Sequence, residues 1–123
     1  MPLPLPHARH ERSMTEAGFN IKLKEKYLFV DFYADWCEPC KILDRVLEEM
    51  QPAFEARMVF LKVDIDESED LKKKYSIMSV PTLILFYNGN VIWRMPGFMY
   101  AKELGDTINK VISDSEAGIQ NNL

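Results

Sequence analysis

The chain of 123 residues contains two cysteines. They are Cys37 and Cys40, with Pro39 directly before the second. Two thiols at this spacing can close as a disulfide and open again, which makes the pair a candidate redox centre. A helical pattern begins at or near Cys37, and the positive end of a helix stabilises a thiolate. Cys37 is therefore the candidate nucleophile.

Two other interpretations of the cysteine pair are open. The pair could be a structural disulfide or two inert thiols. It could also supply two of the roughly four ligands that a zinc site needs, with His7, His10 or carboxylates supplying the others. The sequence around the pair favours the redox interpretation, and no metal or other bound cofactor is expected.

Asp31 is the second residue whose position suggests chemistry. It interrupts a run, Tyr27–Tyr33, that is otherwise apolar on both faces and is typical of a buried strand. A carboxyl group in such a strand is costly unless it is paired or protonated, so its pKa should be raised. Asp31 could then exchange a proton, or it could be a structural aspartate paired with Lys62 on a neighbouring strand. Both interpretations can hold together.

The elements that position these residues alternate between strand and helix patterns. Strands are predicted over about 27–33, 58–63, 82–87 and 91–95, and helices over about 14–25, from Pro39 to Pro52, 68–75 and 101–112. Ser13 with Glu16 fits a capping box for the first helix. The second helix has an apolar stripe at helical spacing, formed by Ile42, Leu43, Val46, Leu47 and Met50. The order predicts a three-layer α/β domain with a mixed sheet over residues 13–112.

Composition excludes several classes of protein. The formal net charge of −4 offers no general basic surface for nucleic acid, and no apolar run approaches the length of a membrane span. Residues 1–12 are predicted to be a disordered leader or tail, and 113–123 a polar C-terminal tail. The leader lacks the apolar core of a signal peptide, so a cytoplasmic location is expected. A periplasmic or otherwise exported protein is the alternative, because a removed signal would leave no trace.

With these elements placed, the chain resembles the thioredoxin family over about residues 27–112. The matching segments are Val30–Lys41, Lys62–Asp66, Ser79–Leu83, Asn88-Gly89 and Gly97. The resemblance implies the thioredoxin fold, with a central mixed sheet of four or five strands flanked by helices. It also implies a thiol–disulfide oxidoreductase that reduces protein disulfides. No convincing first strand of the family is present in residues 1–26.

The resemblance also implies a role for each site residue. Cys37 would attack a substrate disulfide, Cys40 would be more buried and resolve the mixed disulfide, and Asp31 would accept the proton of Cys40. Pro81 would follow a cis peptide bond that faces the cysteines. An apolar docking surface would be formed by Trp36, Ile65, Val80, Gly97 and Phe98.

Three positions depart from the family pattern: Glu38 stands where glycine is usual, Tyr33 where tryptophan is common, and Phe98 where a small residue is usual. Glu38, Pro39 and Lys62 are expected to tune the redox site. The charge of Glu38 disfavours a neighbouring thiolate, yet a carboxylate in the first turn of a helix is favourable, so the direction of its effect is open.

The expected partners are protein substrates that contain disulfides and an electron donor, either thioredoxin-reductase-like or another dithiol. An exported family member that acts on specific partners is one alternative. A binding module whose dithiol is incidental to partner docking is another.

Overall fold

The computed structural model of the chain describes residues 14–118. In chain order, its elements are α1 (Glu16–Lys22), β1 (Tyr27–Tyr33), α2 (Glu38–Met50), a 3-10 turn (Gln51–Ala53), β2 (Val59–Asp64), α3 (Glu69–Lys74), β3 (Thr82–Tyr87), β4 (Asn90–Pro96) and α4 (Ala101–Glu116). This order confirms the predicted α/β succession of strands and helices. The predicted leader lies outside the described residues, as does the end of the C-terminal tail.

The four strands form one mixed sheet in the order β2-β1-β3-β4. β1 runs parallel to β2 and antiparallel to β3, and β4 runs antiparallel to β3. All seven residues of β1 are buried, because helices cover both faces of the sheet. The sequence therefore predicted the class of sheet correctly, and residues 14–118 supply four strands to it.

From Tyr27 to Phe32, the apolar residues of β1 pack alternately in two separate clusters, because side chains alternate across a strand. Leu28, Val30 and Phe32 pack in a first cluster that also contains both cysteines, together with Phe19 of α1 and Leu71 of α3. Tyr27 and Phe29 pack in a second cluster, and the helices that contribute to this cluster are α2 and α4. The sheet thus separates two helical layers, as predicted.

The first helix is shorter than predicted and has a different cap. The side-chain oxygen of Thr15 accepts a hydrogen bond from the backbone N–H of Gly18, so α1 begins at Glu16. Ser13, the predicted cap, lies outside the described residues. The helix ends at Lys22, which leaves residues 23–26 as the turn into β1.

Two details of the other helices also differ from the prediction. Ile42 is 44% exposed and does not belong to the buried face of α2, whose buried residues include Leu43 and Leu47. α4 continues past Ile112 to Glu116. The Tyr27 hydroxyl donates to Glu116 across 3.0 Å, and this contact ties the last turn to the sheet. None of the helices in residues 14–118 combines the length and apolar character needed to cross a bilayer.

Candidate active site

Both cysteines lie where the chain passes from β1 into α2. The backbone N–H of Cys37 donates to the carbonyl of Ala34, which closes the turn after the strand. Cys37 has extended backbone angles and is the N-cap of α2, and its Sγ accepts the backbone N–H of Cys40 across 3.2 Å. Pro39 stands in the first turn, where a missing N–H costs no helical hydrogen bond.

Cys37 and Cys40 are joined as a disulfide, with their Cα atoms 5.3 Å apart. Each residue is 3% exposed, so the expected greater burial of Cys40 is wrong for this oxidised form. The asymmetry between them lies in the backbone. Cys37 caps the helix and its sulfur accepts an N–H of the first turn, whereas Cys40 lies inside that turn. The helix therefore favours a thiolate at Cys37 when the pair is reduced.

Asp31 lies fully buried in β1, between Lys62 of β2 and Leu83 of β3 in the register of the sheet. Neither of its carboxylate oxygens has a hydrogen-bond partner among residues 14–118. Burial raises the pKa of Asp31 to about 7; the positive charge of Lys62 opposes this rise and the negative charge of Asp44 adds to it. Asp31 is therefore a carboxyl group that can exchange a proton near neutral pH.

Lys62 does not form the direct ion pair with Asp31 that was one interpretation of the sequence. Its ammonium donates to Oδ1 of Asp44 on α2 across 2.7 Å and lies 4.2 Å from the centre of the Tyr33 ring. The side chain is 6% exposed, so the ammonium is held inside the protein between a carboxylate and an aromatic face. Sequence reasoning did not single out Asp44. The sequence feature that could have identified Asp44 is its position one helical turn after Cys40, on the same face of α2.

The Val80–Pro81 peptide bond is cis, as the resemblance implied. Pro81 is buried, and its carbonyl accepts the backbone N–H of Gly97 across 2.7 Å. Gly97 has a φ of +87°, a conformation that glycine adopts without the strain of a side chain. Val80 packs against the first cluster, which contains both cysteines.

The remaining residues of the expected docking surface are divided between the two cores. Ile65 is buried in the first cluster with the cysteines. Trp36 is exposed, and its indole N–H donates to Asp66 across 2.9 Å. Phe98 instead packs against the second cluster and makes an edge-on contact with the Tyr100 ring. The structure thus places Ile65 and Val80 in or against the cluster that contains the cysteines, and Phe98 against the other cluster.

Glu38 is exposed beside Cys37 and forms an ion pair with Lys41, one turn further along α2, across 3.0 Å. Such exposed pairs contribute little to stability. The pairing does place a positive charge next to the carboxylate that stands near the helix start. The electrostatic effect of Glu38 on the cysteines is therefore offset in part by its own partner.

The zinc interpretation finds no support in the described part of the chain. No group of three or more histidine, cysteine, aspartate or glutamate side chains there is arranged to hold a metal ion. His7 and His10 lie outside that part.

A mixed sheet between helical layers, with a disulfide at a helix N-terminus, defines the class of thioredoxin-fold proteins. Comparison with known proteins then identifies the family. The Thioredoxin family model matches residues 11–110, and the chain belongs to the thioredoxin family.

Relatives and solved structures agree with this assignment. The chain is 38% identical over 97 residues to a thioredoxin of Staphylococcus aureus, and the match covers 79% of this chain and 93% of that protein. A Plasmodium falciparum thioredoxin superposes with a TM-score of 0.71 at 33% identity, covering 78% of this chain and 93% of that one. Oxidised mitochondrial thioredoxin 3 of Saccharomyces cerevisiae also superposes at 0.71, with 31% identity and coverages of 78% and 90%.

The protein is therefore an enzyme, a thiol–disulfide oxidoreductase, and the predictions of family, fold and activity are confirmed. Its disulfide-bonded Cys37 and Cys40 are the redox pair that this activity requires. The family assignment favours the enzyme over the binding module with an incidental dithiol.

Proposed function

We propose that the protein reduces disulfides in protein substrates, with Cys37 as the nucleophile and Cys40 as the resolving thiol. The main support for this assignment is the position of Cys37 as the N-cap of α2. There, its sulfur accepts the Cys40 N–H at the positive end of the helix. A sulfur in this position is stabilised as a thiolate, and the thiolate is the form that attacks a disulfide.

The thiol–disulfide exchange takes place in two steps. The Cys37 thiolate attacks one sulfur of the substrate disulfide, forms a mixed disulfide and releases the other substrate sulfur as a thiolate, which takes up a proton. Cys40 then loses its proton and attacks the Cys37 sulfur, which closes the Cys37–Cys40 disulfide and releases the second substrate thiolate. The substrate gains two electrons and the enzyme loses two.

Asp31 is the proton acceptor for Cys40 in this scheme. Its burial in β1 and its raised pKa, about 7, support the role. At neutral pH a substantial fraction of this carboxyl group is ionised and can accept a proton, whereas an ordinary aspartate would be a much weaker base. Lys62 limits how far the pKa rises, and so it tunes the acceptor.

The substrate docks beside the cysteines on the loop that carries the cis Val80–Pro81 bond. We assign the backbone of Val80 to pairing with an extended segment of the substrate, and Ile65, Trp36 and Gly97 to the surrounding surface. Phe98 is assigned to the outer edge of that surface, because its side chain packs against the second cluster. Glu38 and Pro39 tune the dithiol from the first turn of α2.

Electrons reach the enzyme from a dithiol donor of the thioredoxin-reductase type, which returns the Cys37–Cys40 disulfide to the dithiol. A protein that works as a reductant needs a compartment that keeps its thiols reduced, so we place it in the cytoplasm. Cell fractionation with an antibody against the protein tests this location.

Reduction of insulin disulfides tests the proposed function. The wild type with dithiothreitol as donor is expected to accelerate reduction, and Cys37→Ser should abolish the acceleration. Cys40→Ser keeps the nucleophile and should accumulate a mixed disulfide with the substrate, detectable by mass spectrometry. A Cys37→Ser variant with wild-type activity, or a mixed disulfide that forms on Cys40 instead, would overturn the assignment.

A further inference from the structure

Asp44 is linked to the buried charges of the site through Lys62, and it has no part in the mechanism above. Its carboxylate receives the Lys62 ammonium across 2.7 Å. Asp44 is 34% exposed, whereas Lys62 is 6% exposed and Asp31 is fully buried. One cation thus lies near two carboxylates, and it bonds to the one that reaches solvent.

Lys62 bonds to Asp44 although the register of the sheet places it opposite Asp31. Asp31 and Lys62 are directly paired positions on the neighbouring parallel strands β1 and β2. The Lys62 side chain nevertheless donates to α2, and both oxygens of Asp31 are left without a partner among the described residues. The Tyr33 ring, 4.2 Å from the ammonium, helps to hold it in this position.

Other titratable groups lie on the elements next to Asp31. From β2, Asp64 accepts the backbone N–H of Asp66, and α2 contributes Asp44 and Cys40. β3 contributes the apolar Leu83, which pairs with Asp31 in the register. From α4 the buried residues of the second cluster are apolar, namely Leu104, Ile108, Val111 and Ile112.

We propose that Asp44 is a positioning residue of the exchange reaction: it holds the Lys62 ammonium away from Asp31 and thereby sets the pH range in which Asp31 can serve Cys40. The inference rests on the proposed role of Asp31 in the mechanism. Asp44 acts by two effects of the same sign, because its own negative charge and its hold on Lys62 both disfavour the ionised form of Asp31.

The first test follows the Asp31 carboxyl carbon by NMR during a pH titration of the oxidised full-length protein. Asp44→Asn keeps the shape of the side chain and removes its charge. The titration midpoint of Asp31 is expected to fall by about one pH unit, the scale on which nearby charges shift the pKa of a carboxyl group. Asp44→Glu should restore a midpoint close to that of the wild type. An unchanged midpoint in Asp44→Asn would overturn the proposal.

Two further variants separate the contribution of Lys62 from other effects. Lys62→Met should raise the Asp31 midpoint, and Asp44→Asn added to Lys62→Met should lower it by less than in the wild-type background, because no ammonium is left to release. Equal shifts in both backgrounds would show that Asp44 does not act through Lys62. Asp106→Asn on α4 removes an exposed carboxylate that also pairs with a lysine, and it should leave the midpoint unchanged.

The second test measures the pH profile of insulin reduction. The profile of Asp44→Asn should move to lower pH by the same interval as the Asp31 midpoint. A midpoint that moves while the rate profile stays in place would overturn the positioning role. The NMR titration does not depend on enzymatic activity, so it tests the role of Asp44. The assay of Cys37→Ser tests the proposed function separately.

Discussion

The buried carboxyl group of Asp31 should make the oxidised protein less stable as the pH rises. Its pKa is raised from 3.8 to about 7 in the folded protein, with burial as the main cause. Between these two values the folded state holds a proton that the unfolded state has released. The free energy of unfolding therefore falls as pH increases through this window, and above it the destabilisation is complete.

The size of the effect follows from the same two values. A difference of about three pKa units corresponds to about 4 kcal/mol of differential stability. Asp31→Asn removes the titration and keeps the shape of the side chain. A buried amide without a hydrogen-bond partner lowers the free energy of unfolding by the same amount at every pH. The quantity to compare is therefore the change with pH in the stability difference between variant and wild type. The stability of the variant relative to the wild type should grow by about 4 kcal/mol from pH 4 to pH 8.

Urea unfolding at a series of pH values, followed by tryptophan fluorescence and analysed by linear extrapolation, measures this difference. Asp106→Asn is the matched control, since it removes an exposed carboxylate from α4, and its stability relative to the wild type should stay nearly constant over the same range. If the difference between Asp31→Asn and the wild type changes by less than about 1 kcal/mol, the buried carboxyl group is not the source of the pH sensitivity.

Two other variants test the tuning of the site and the loop beside it. Glu38→Gly should shift the pKa of Cys37 in the reduced protein by less than about one unit, because the Glu38 carboxylate is exposed and already paired with Lys41. Thiolate absorbance measures this shift, and Glu38→Gln separates the effect of charge from that of backbone freedom. A larger shift in both variants would make Glu38 a main determinant of the Cys37 pKa. Gly97→Ala should lower the free energy of unfolding by about 1–2 kcal/mol, since its φ is +87° and open space surrounds the added carbon. Gly105→Ala within α4 should stabilise the protein by up to about 1 kcal/mol, and equal effects of the two alanines would contradict the backbone explanation.

The strands and the redox pair could be predicted because their signals are local. β1 is apolar at every position except Asp31, and Asn88-Gly89 is a typical hairpin turn, so these elements were placed within a residue or two. The spacing of the two cysteines can be seen directly in the sequence, and the helix that follows them begins where predicted. Each of these features depends on neighbours along the chain.

The features that were missed depend on contacts between distant segments. Ile42 has the spacing of a core residue, but its exposure is decided by what other elements leave uncovered on α2. The last turn of α4 contains Glu116, whose hydrogen bond with Tyr27 joins positions that are far apart in sequence. The ion pair between Lys62 and Asp44 is of the same kind, because only the packing of α2 against β2 brings the two charges together.

The arrangement around Asp31 links the stability of the protein to its reaction. A direct ion pair with Lys62 would lower the pKa of Asp31 and stabilise the fold at neutral pH, but it would also weaken Asp31 as a proton acceptor. With the ammonium bonded to Asp44, Asp31 has no hydrogen-bond partner among residues 14–118, its ionised form is costly, and its pKa is raised to about 7. In the proposed mechanism, the same cost that lowers stability above this pH favours transfer of a proton from Cys40 to the carboxylate. A variant that stabilises the ionised form of Asp31 should therefore gain stability at neutral pH and lose rate in the resolving step.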